Sequence, residues 1–304
     1  MSDLSELVAE RGFAAGWALV RRMPEPVAYG LFERIADASW ARRGPQVRRL
    51  ESNLSRVLGP GATPAELRAL SRQGMRNYLR YWCDAFRMPG WSRERIRDSI
   101  VIHDEDVFSA ALATGRGVVC VLPHMGNWDH AGAWACVKYT TVVTVAERLK
   151  PEDLYQKFLD FRRSLGMEVL PLTGGDPPFP TLLRRLRAGG LIALLGDRDL
   201  TTGGLPVDFF GAEARFPAGP AALAVQTGAV LLAPTLWTEA GRNHVHFHPA
   251  IEVPTEGTKP ERIQRATQLV ADAFGAGIAT HPGSWHMLQR LWTDDLDPTR
   301  KPTP

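Results

Sequence analysis

The sequence predicts an α/β fold: a mostly parallel central sheet covered by helices on both faces, with N-terminal amphipathic helices ahead of it. Three observations carry that prediction. From about position 100 onward, short β-branched runs alternate with helical segments of ten or more residues, the signature of strand–helix–strand units. The run Val118 to Leu122 has no polar group beyond the Cys120 thiol and lies between Gly117 and Pro123, so it reads as a strand buried on both faces. The first hundred residues instead show apolar residues at helical spacing, with arginines between them.

Taken in order, Leu4 to Val20 is patterned as an amphipathic helix that Pro24 and Pro26 stop, and a second helical pattern runs from Val27 to Trp40. Arg42, Arg43, Arg48, Arg49 and Arg56 follow, around Leu50, Leu54 and Val57. Thr63-Pro64-Ala65-Glu66 is a helix start, with a Thr cap, Pro at the first helical position and Glu where a capping box needs it. That helix should reach Phe86 and carry Arg68, Arg72, Arg76 and Arg80 as a basic stripe. Both a core-packing reading with solvated arginines and a membrane-surface reading fit these helices. Strands are expected over 117–122, 141–146, 168–172, 191–196 and 229–236, and helices over 128–137, 152–165, 178–188, 218–226 and 259–280. The organisation expected is an Arg-rich helical region (1–99), an α/β core (100–293) and a loose Pro-containing tail (294–304), together forming one compact domain.

Charge is unevenly spread: residues 1–100 carry 17 Arg and no Lys against 11 acidic residues, whereas the whole chain is only +3. A basic third with interleaved aromatics suits an anionic partner, lipid or nucleic acid. None of the expected nucleic-acid modules is visible, so a lipid surface is the expectation and nucleic acid is not. Cys83, Cys120 and Cys136 are an odd number without metal spacing, which points to reduced thiols and a cytoplasmic setting. Asp3, Glu6 and Glu10 do not make the basic start of a signal peptide. The early apolar stretch from Phe13 to Val20 falls short of the ~20 residues of a spanning helix.

Three of the expected strands end in an ionisable residue: Leu122-Pro123-His124, Val145-Ala146-Glu147 and Leu195-Gly196-Asp197. A parallel sheet presents all its carboxyl ends on one edge, so His124, Glu147 and Asp197 should converge there. Such a group suits proton removal from a hydroxyl, with imidazole as base and a carboxylate fixing its tautomer. Asp129 or Asp197 could be that carboxylate. No Gly-x-Ser-x-Gly elbow is present and no cysteine adjoins His124, so the substrate hydroxyl itself would be the nucleophile. Backbone amides near Gly126 and Asn127, with Arg198, could hold an oxyanion or a phosphate, and Arg215 could hold a phosphate. His244, His246 and His248 alternate along one strand face, and a metal-dependent hydrolase would use them; an exposed strand face explains them more simply. His281 and His286 flank Trp285, and packing explains that group.

His124-Met125-Gly126-Asn127-Trp128-Asp129 resembles the His-x-x-x-x-Asp/Glu box of glycerolipid-type acyltransferases, in the form found in lipid A late acyltransferases and their actinobacterial relatives. Ala146-Glu147-Arg148-Leu149, Asp197-Arg198-Asp199, Val207-Asp208-Phe209-Phe210-Gly211, Pro217-Ala218-Gly219-Pro220 and Trp285-His286-Met287-Leu288-Gln289-Arg290 bring the chain nearest to the phosphatidylinositol mannoside acyltransferases. The resemblance implies a peripheral enzyme, monomeric, on the cytoplasmic face of the cell membrane. It would transfer a long acyl chain from acyl-CoA, a co-substrate, to a sugar hydroxyl of a membrane glycolipid, with neither cofactor nor metal. It also implies His124 as general base, Asp197 as its partner, Asp129 as the acid inside the box, and Glu147 and Arg162 lining the substrate cleft. A lipid A-type or glycerol-phosphate acceptor is the alternative within the same family.

Overall fold

The computed structural model describes residues 19–147, 152–199, 201 and 203–296. The first amphipathic pattern, up to Ala18, and the tail beyond Leu296 lie outside them. Three helices open the described chain: α1 (Glu25–Ala41), α2 (Pro45–Leu58) and α3 (Pro64–Arg87). The Thr63 capping box forms as expected, with the Thr63 N–H donating to Glu66 Oε2 at 2.7 Å and the Glu66 N–H to Thr63 Oγ1 at 3.2 Å, worth about 1 kcal/mol to α3.

The basic stripe of α3 is turned inward onto its neighbours. Arg72 and Arg76 both grip Asp37 of α1, Arg68 and Arg43 both reach Glu51 of α2, and Arg80 lies over the Tyr29 ring. Most of these arginines therefore join the helices to one another, the packing reading. Arg42, Arg48 and Arg49 stay exposed. So do Val27, Leu31 and Ile35, one helical face of α1.

Next come α4 (Arg93–Asp98), β1 (Ile100–His103) and α5 (Glu105–Ala113), which the sequence reading did not separate. The α/β alternation follows with β2 (Val118–Leu122), α6 (Trp128–Lys138), β3 (Val142–Ala146), α7 (Glu152–Ser164), β4 (Glu168–Pro171), α8 (Pro178–Arg187) and β5 (Leu191–Leu195). The hairpin β6 (Gly204–Phe209) and β7 (Ala212–Pro217) leads to α9 (Gly219–Thr227) and β8 (Val230–Leu232). After β9 (Thr235–Glu239) and β10 (Arg242–His246), the long α10 (Lys259–Thr280) closes the fold.

Five strands form one parallel sheet in the order β4-β3-β5-β2-β8. All five residues of β2 are buried. Val119 and Val121 enter one apolar core with α8, α9 and α10, while Val118, Cys120 and Leu122 enter another with α5, α6 and α7, so alternate side chains serve opposite faces. The single strand expected over 229–236 is two strands. Pro234 has no N–H for a ladder, and the chain leaves the parallel sheet there to enter a second one, β1-β10-β9.

Candidate active site

Register builds the site. Leu122 of β2 pairs with Leu195 of β5, and the Gly196 N–H donates to the Leu122 carbonyl at 2.9 Å. His124 and Asp197 lie two residues beyond these partners and so emerge side by side. Gly196 permits the approach, because a Cβ there would sit 2.3 Å from Val121 Cγ1. Beyond His124 the chain turns back at Gly126, at φ +60, where a Cβ would meet the Leu236 backbone at 2.7 Å. Asn127 then caps α6, its side-chain oxygen accepting from the His130 N–H at 2.9 Å.

Asp197 is fully buried under His124. His124 Nδ1 lies 2.5 Å from Asp197 Oδ1, while the His124 backbone N–H and the Trp285 indole N–H donate to Asp197 Oδ2 at 2.9 and 3.1 Å. Burial alone would raise the pKa of this carboxyl, but the His124 charge and these hydrogen bonds outweigh it and hold the group below the usual carboxylate range. The imidazole is 37% exposed, so its partner is sequestered and its other edge is reachable. In a neutral ring that donates Nδ1–H to Asp197, the lone pair is on Nε2.

Asp129, the acid inside the box, faces elsewhere. It is buried and accepts from the Tyr81 hydroxyl at 2.8 Å and from Arg162 Nε at 2.8 Å. Burial first, then Asp129, pushes the Tyr81 pKa well above its usual value, so Tyr81 remains a donor. Arg162, which the resemblance places on the cleft wall, holds Asp129. Glu147 is exposed at the carboxyl end of β3, on the same sheet edge as His124.

Of the expected anion contacts, Gly126, Arg198 and Arg215 have partners within the chain. The Gly126 N–H donates to the Ser284 carbonyl at 2.8 Å, so that amide is committed to holding the turn. The Asn127 side-chain amide donates to Asp84 Oδ2 at 3.0 Å. Arg198 Nε donates to the Arg290 carbonyl at 3.0 Å, and Arg215 donates to the Gly204 carbonyl. The late histidines lie close together, the His246 and His248 ring centroids 4.1 Å apart, but each has its own partner: His246 pairs with Asp104 at 2.6 Å, His244 with His103 at 3.2 Å and His248 with Thr235 at 2.8 Å. Among the described residues no group of three or more His, Cys, Asp or Glu is placed to hold a metal ion.

Other residues of the site were not assigned to it from the sequence. Asp84 is buried and accepts from the Tyr29 hydroxyl at 2.6 Å and from Asn127 and Asn243, each at 3.0 Å, tying α1 and β10 to the turn after His124. Tyr81 and Asp84 sit in the apolar pattern of α3 with no local mark of their partners. His286 donates its backbone N–H to the His124 carbonyl at 2.6 Å, and its buried ring packs among Tyr78, Tyr81 and Trp128. Among the described residues neither ring nitrogen finds a hydrogen-bond partner. Burial, then His124, lowers its pKa to about 3, so the ring is neutral.

Residues 10–294 match the family of bacterial lipid A biosynthesis acyltransferases. The chain belongs to that family. A phosphatidylinositol mannoside acyltransferase of Mycolicibacterium smegmatis is 45% identical over 297 residues, covering 97% of this chain and 94% of that protein. Phosphatidylinositol mannoside acyltransferases from two strains of Mycobacterium tuberculosis are each 44% identical over 305 residues, covering 99% of this chain and 93% of theirs. The resemblance carried by the His-x-x-x-x-Asp box and the later motifs is thus a family membership. Among the described residues no helix of this family member is long and apolar enough to cross a membrane.

Proposed function

We propose that this acyltransferase moves a fatty-acyl chain from acyl-CoA to a sugar hydroxyl of a membrane glycolipid of the phosphatidylinositol mannoside type, with His124 as general base. The observation that carries this reading is the buried Asp197 holding Nδ1 of a half-exposed imidazole. His124 Nε2 takes the proton of the acceptor hydroxyl as its oxygen attacks the thioester carbonyl. The C–O ester bond forms, the C–S bond breaks, and the proton passes to the departing CoA sulfur, leaving an acylated glycolipid and free thiol. Asp197 stabilises the transient imidazolium and keeps the ring in the productive tautomer, a contribution of about 10²- to 10⁴-fold to the rate. Asp129, Tyr81 and Arg162 brace the start of α6 from beneath. Glu147 faces the cleft as a substrate contact, and Arg162, Arg198 and Arg215 offer anions the N–H groups left over from their bonds within the chain. Acyl-CoA is a co-substrate, and the reaction calls for neither cofactor nor metal.

The enzyme works as a monomer, peripheral on the cytoplasmic face of the cell membrane. The exposed stripe Val27, Leu31 and Ile35 and the exposed arginines Arg42, Arg48 and Arg49 support a membrane-facing α1–α2 surface. Neutralising those three arginines should weaken binding to anionic vesicles in a salt-dependent way, by about 1 kcal/mol for each arginine that touches the surface; unchanged sedimentation with the vesicles would remove this surface from the account. The decisive assay is mass spectrometry of lipids after incubation with acyl-CoA and candidate glycolipids. A product heavier by one acyl group on a phosphatidylinositol mannoside supports the reading, and acylation of lipid A precursors or glycerol phosphate instead would replace the acceptor.

A further inference from the structure

A cavity whose lining includes neither His124 nor Asp197 lies between α1, α3 and the hairpin of β9 and β10. Its volume is about 470 Å³, within the range of small-ligand sites. The floor is Pro282–Ser284. Ser284 there accepts the Gly126 N–H, and the next two residues bond to Asp197 and His124.

The lining states what could fit. Two cations, Arg76 and Arg80, face two acids, Glu33 and Glu239, so the cavity has no formal charge to attract a phosphate. Arg76 is already held by Glu33 at 2.7 Å and Asp37 at 2.6 Å, and Arg80 by the Tyr29 ring and the Gly241 carbonyl. The polar groups, joined by the amides of Gln73 and Asn77, make it a poor site for an acyl tail. One wall is a flat aromatic stack: His281 lies parallel to Trp237, with ring centroids 4.2 Å apart and 5° between planes, and Trp237 is stacked in turn on His244. A rigid ring face beside closely spaced amides, carboxylates and guanidinium groups suits a neutral ligand with one apolar C–H face and many hydroxyls.

We propose that this cavity is a carbohydrate-binding pocket, separate from the His124 site, in which a sugar ring stacks on His281 and hydrogen-bonds to Gln73 and Glu239. Its ligand is the distal glycan of the acceptor lipid or a free sugar; only the first source rests on the proposed acyl transfer.

The test uses saturation-transfer NMR on the full chain with methyl α-D-mannopyranoside, and inorganic phosphate as the charged control. The wild type should bind the glycoside, and phosphate should not compete. His281→Ala should weaken binding about tenfold or more, equivalent to about 1.4 kcal/mol, whereas His281→Phe keeps the flat ring and should retain it; thermal melts check that both variants fold. Absence of glycoside binding in the wild type, equal binding in His281→Ala, or displacement by phosphate would each overturn the proposal. Should acyl transfer itself fail, the binding result still stands, since no acyl donor is present. With active enzyme, a tenfold higher KM for the glycolipid at unchanged kcat in His281→Ala identifies the acceptor's own glycan, and an unchanged KM with lost glycoside binding identifies a free sugar.

Discussion

Two buried carboxylates flank the same turn, and their surroundings differ in one respect that matters for chemistry. Asp197 is bonded to a half-exposed imidazole, so its charge is matched only when both nitrogens of the His124 ring carry a proton. Asp129 is bonded to Arg162, a permanent cation, and to Tyr81, so its charge is matched before any substrate arrives. On the proposed mechanism the first arrangement lowers the energy of a charge that develops during reaction, whereas the second pairs charges that exist before it, so that removing one partner is costly to the fold. An acid within a motif is thus distinguished from a catalytic acid by what it neutralises and when.

The comparison can be broken most directly at its shared turn. His124→Ala should lower acyl transfer by about 10³- to 10⁴-fold with an unchanged thermal midpoint; appreciable activity in the variant would end the general-base account. Asp197→Asn should cost about 10²- to 10⁴-fold in kcat, and adding it to His124→Ala should cost almost nothing further, because the two residues act as a unit. If the two losses multiply, the pair is not a unit.

Asp129→Asn tests the other side. It leaves the largely buried Arg162, its side chain 17% exposed, short of its counter-charge, so the expected signature is a loss of about 3 kcal/mol in urea unfolding with a smaller effect on kcat per folded molecule than Asp197→Asn. The reverse ranking in kcat would move Asp129 into the chemistry. Tyr81→Phe removes one neutral donor to the same acid and should cost about 1–3 kcal/mol, again read in unfolding.

The smallest effect concerns the bond between α1 and α3. Hydrogen bonds from Arg76 and then Arg72 hold the Asp37 carboxyl well below its usual range. A depressed folded-state pKa contributes stability that is complete above the unfolded value near ~3.9 and is lost as pH falls through the folded value. Asp37→Asn should therefore narrow the stability difference between pH 7 and pH 3, by no more than about 1 kcal/mol for so solvent-accessible a cluster. An unchanged pH profile would show the bond to be energetically idle.

Much of this was legible in the residues. Strands β2 to β5, the helices between them and α10 follow from β-branched runs and helical spacing, and the capping box marked the start of α3 to the residue. What escaped were the short strand β1 and the hairpin of β6 and β7, whose four to six residues carry little periodic signal, and the break at Pro234; β10 showed only through its alternating histidines. Within the site, His124 and Asp197 could be placed on one sheet edge because parallel strands end together. Trp285, Tyr81, Asp84 and Asn243 could not be joined to them: their bonds to the site span 43 to 159 positions, and nothing local distinguishes a buried tyrosine that meets a carboxylate from one that meets only a ring.

By itself, then, the sequence determined the family, the alternation that makes a parallel sheet, and the identity of a histidine at a strand end, because each rests on local pattern and on the rule that such strands share a direction. Only the tertiary structure decided which acid serves that histidine. The register of β2 against β5 and the glycine at 196 bring Asp197 under the ring, while the face of α6 that carries Asp129 turns toward α3 and Arg162. Proximity along the chain favours Asp129, yet hydrogen bonding depends on distance and direction in space, and at 2.5 Å from Nδ1 the residue 73 positions away is the partner.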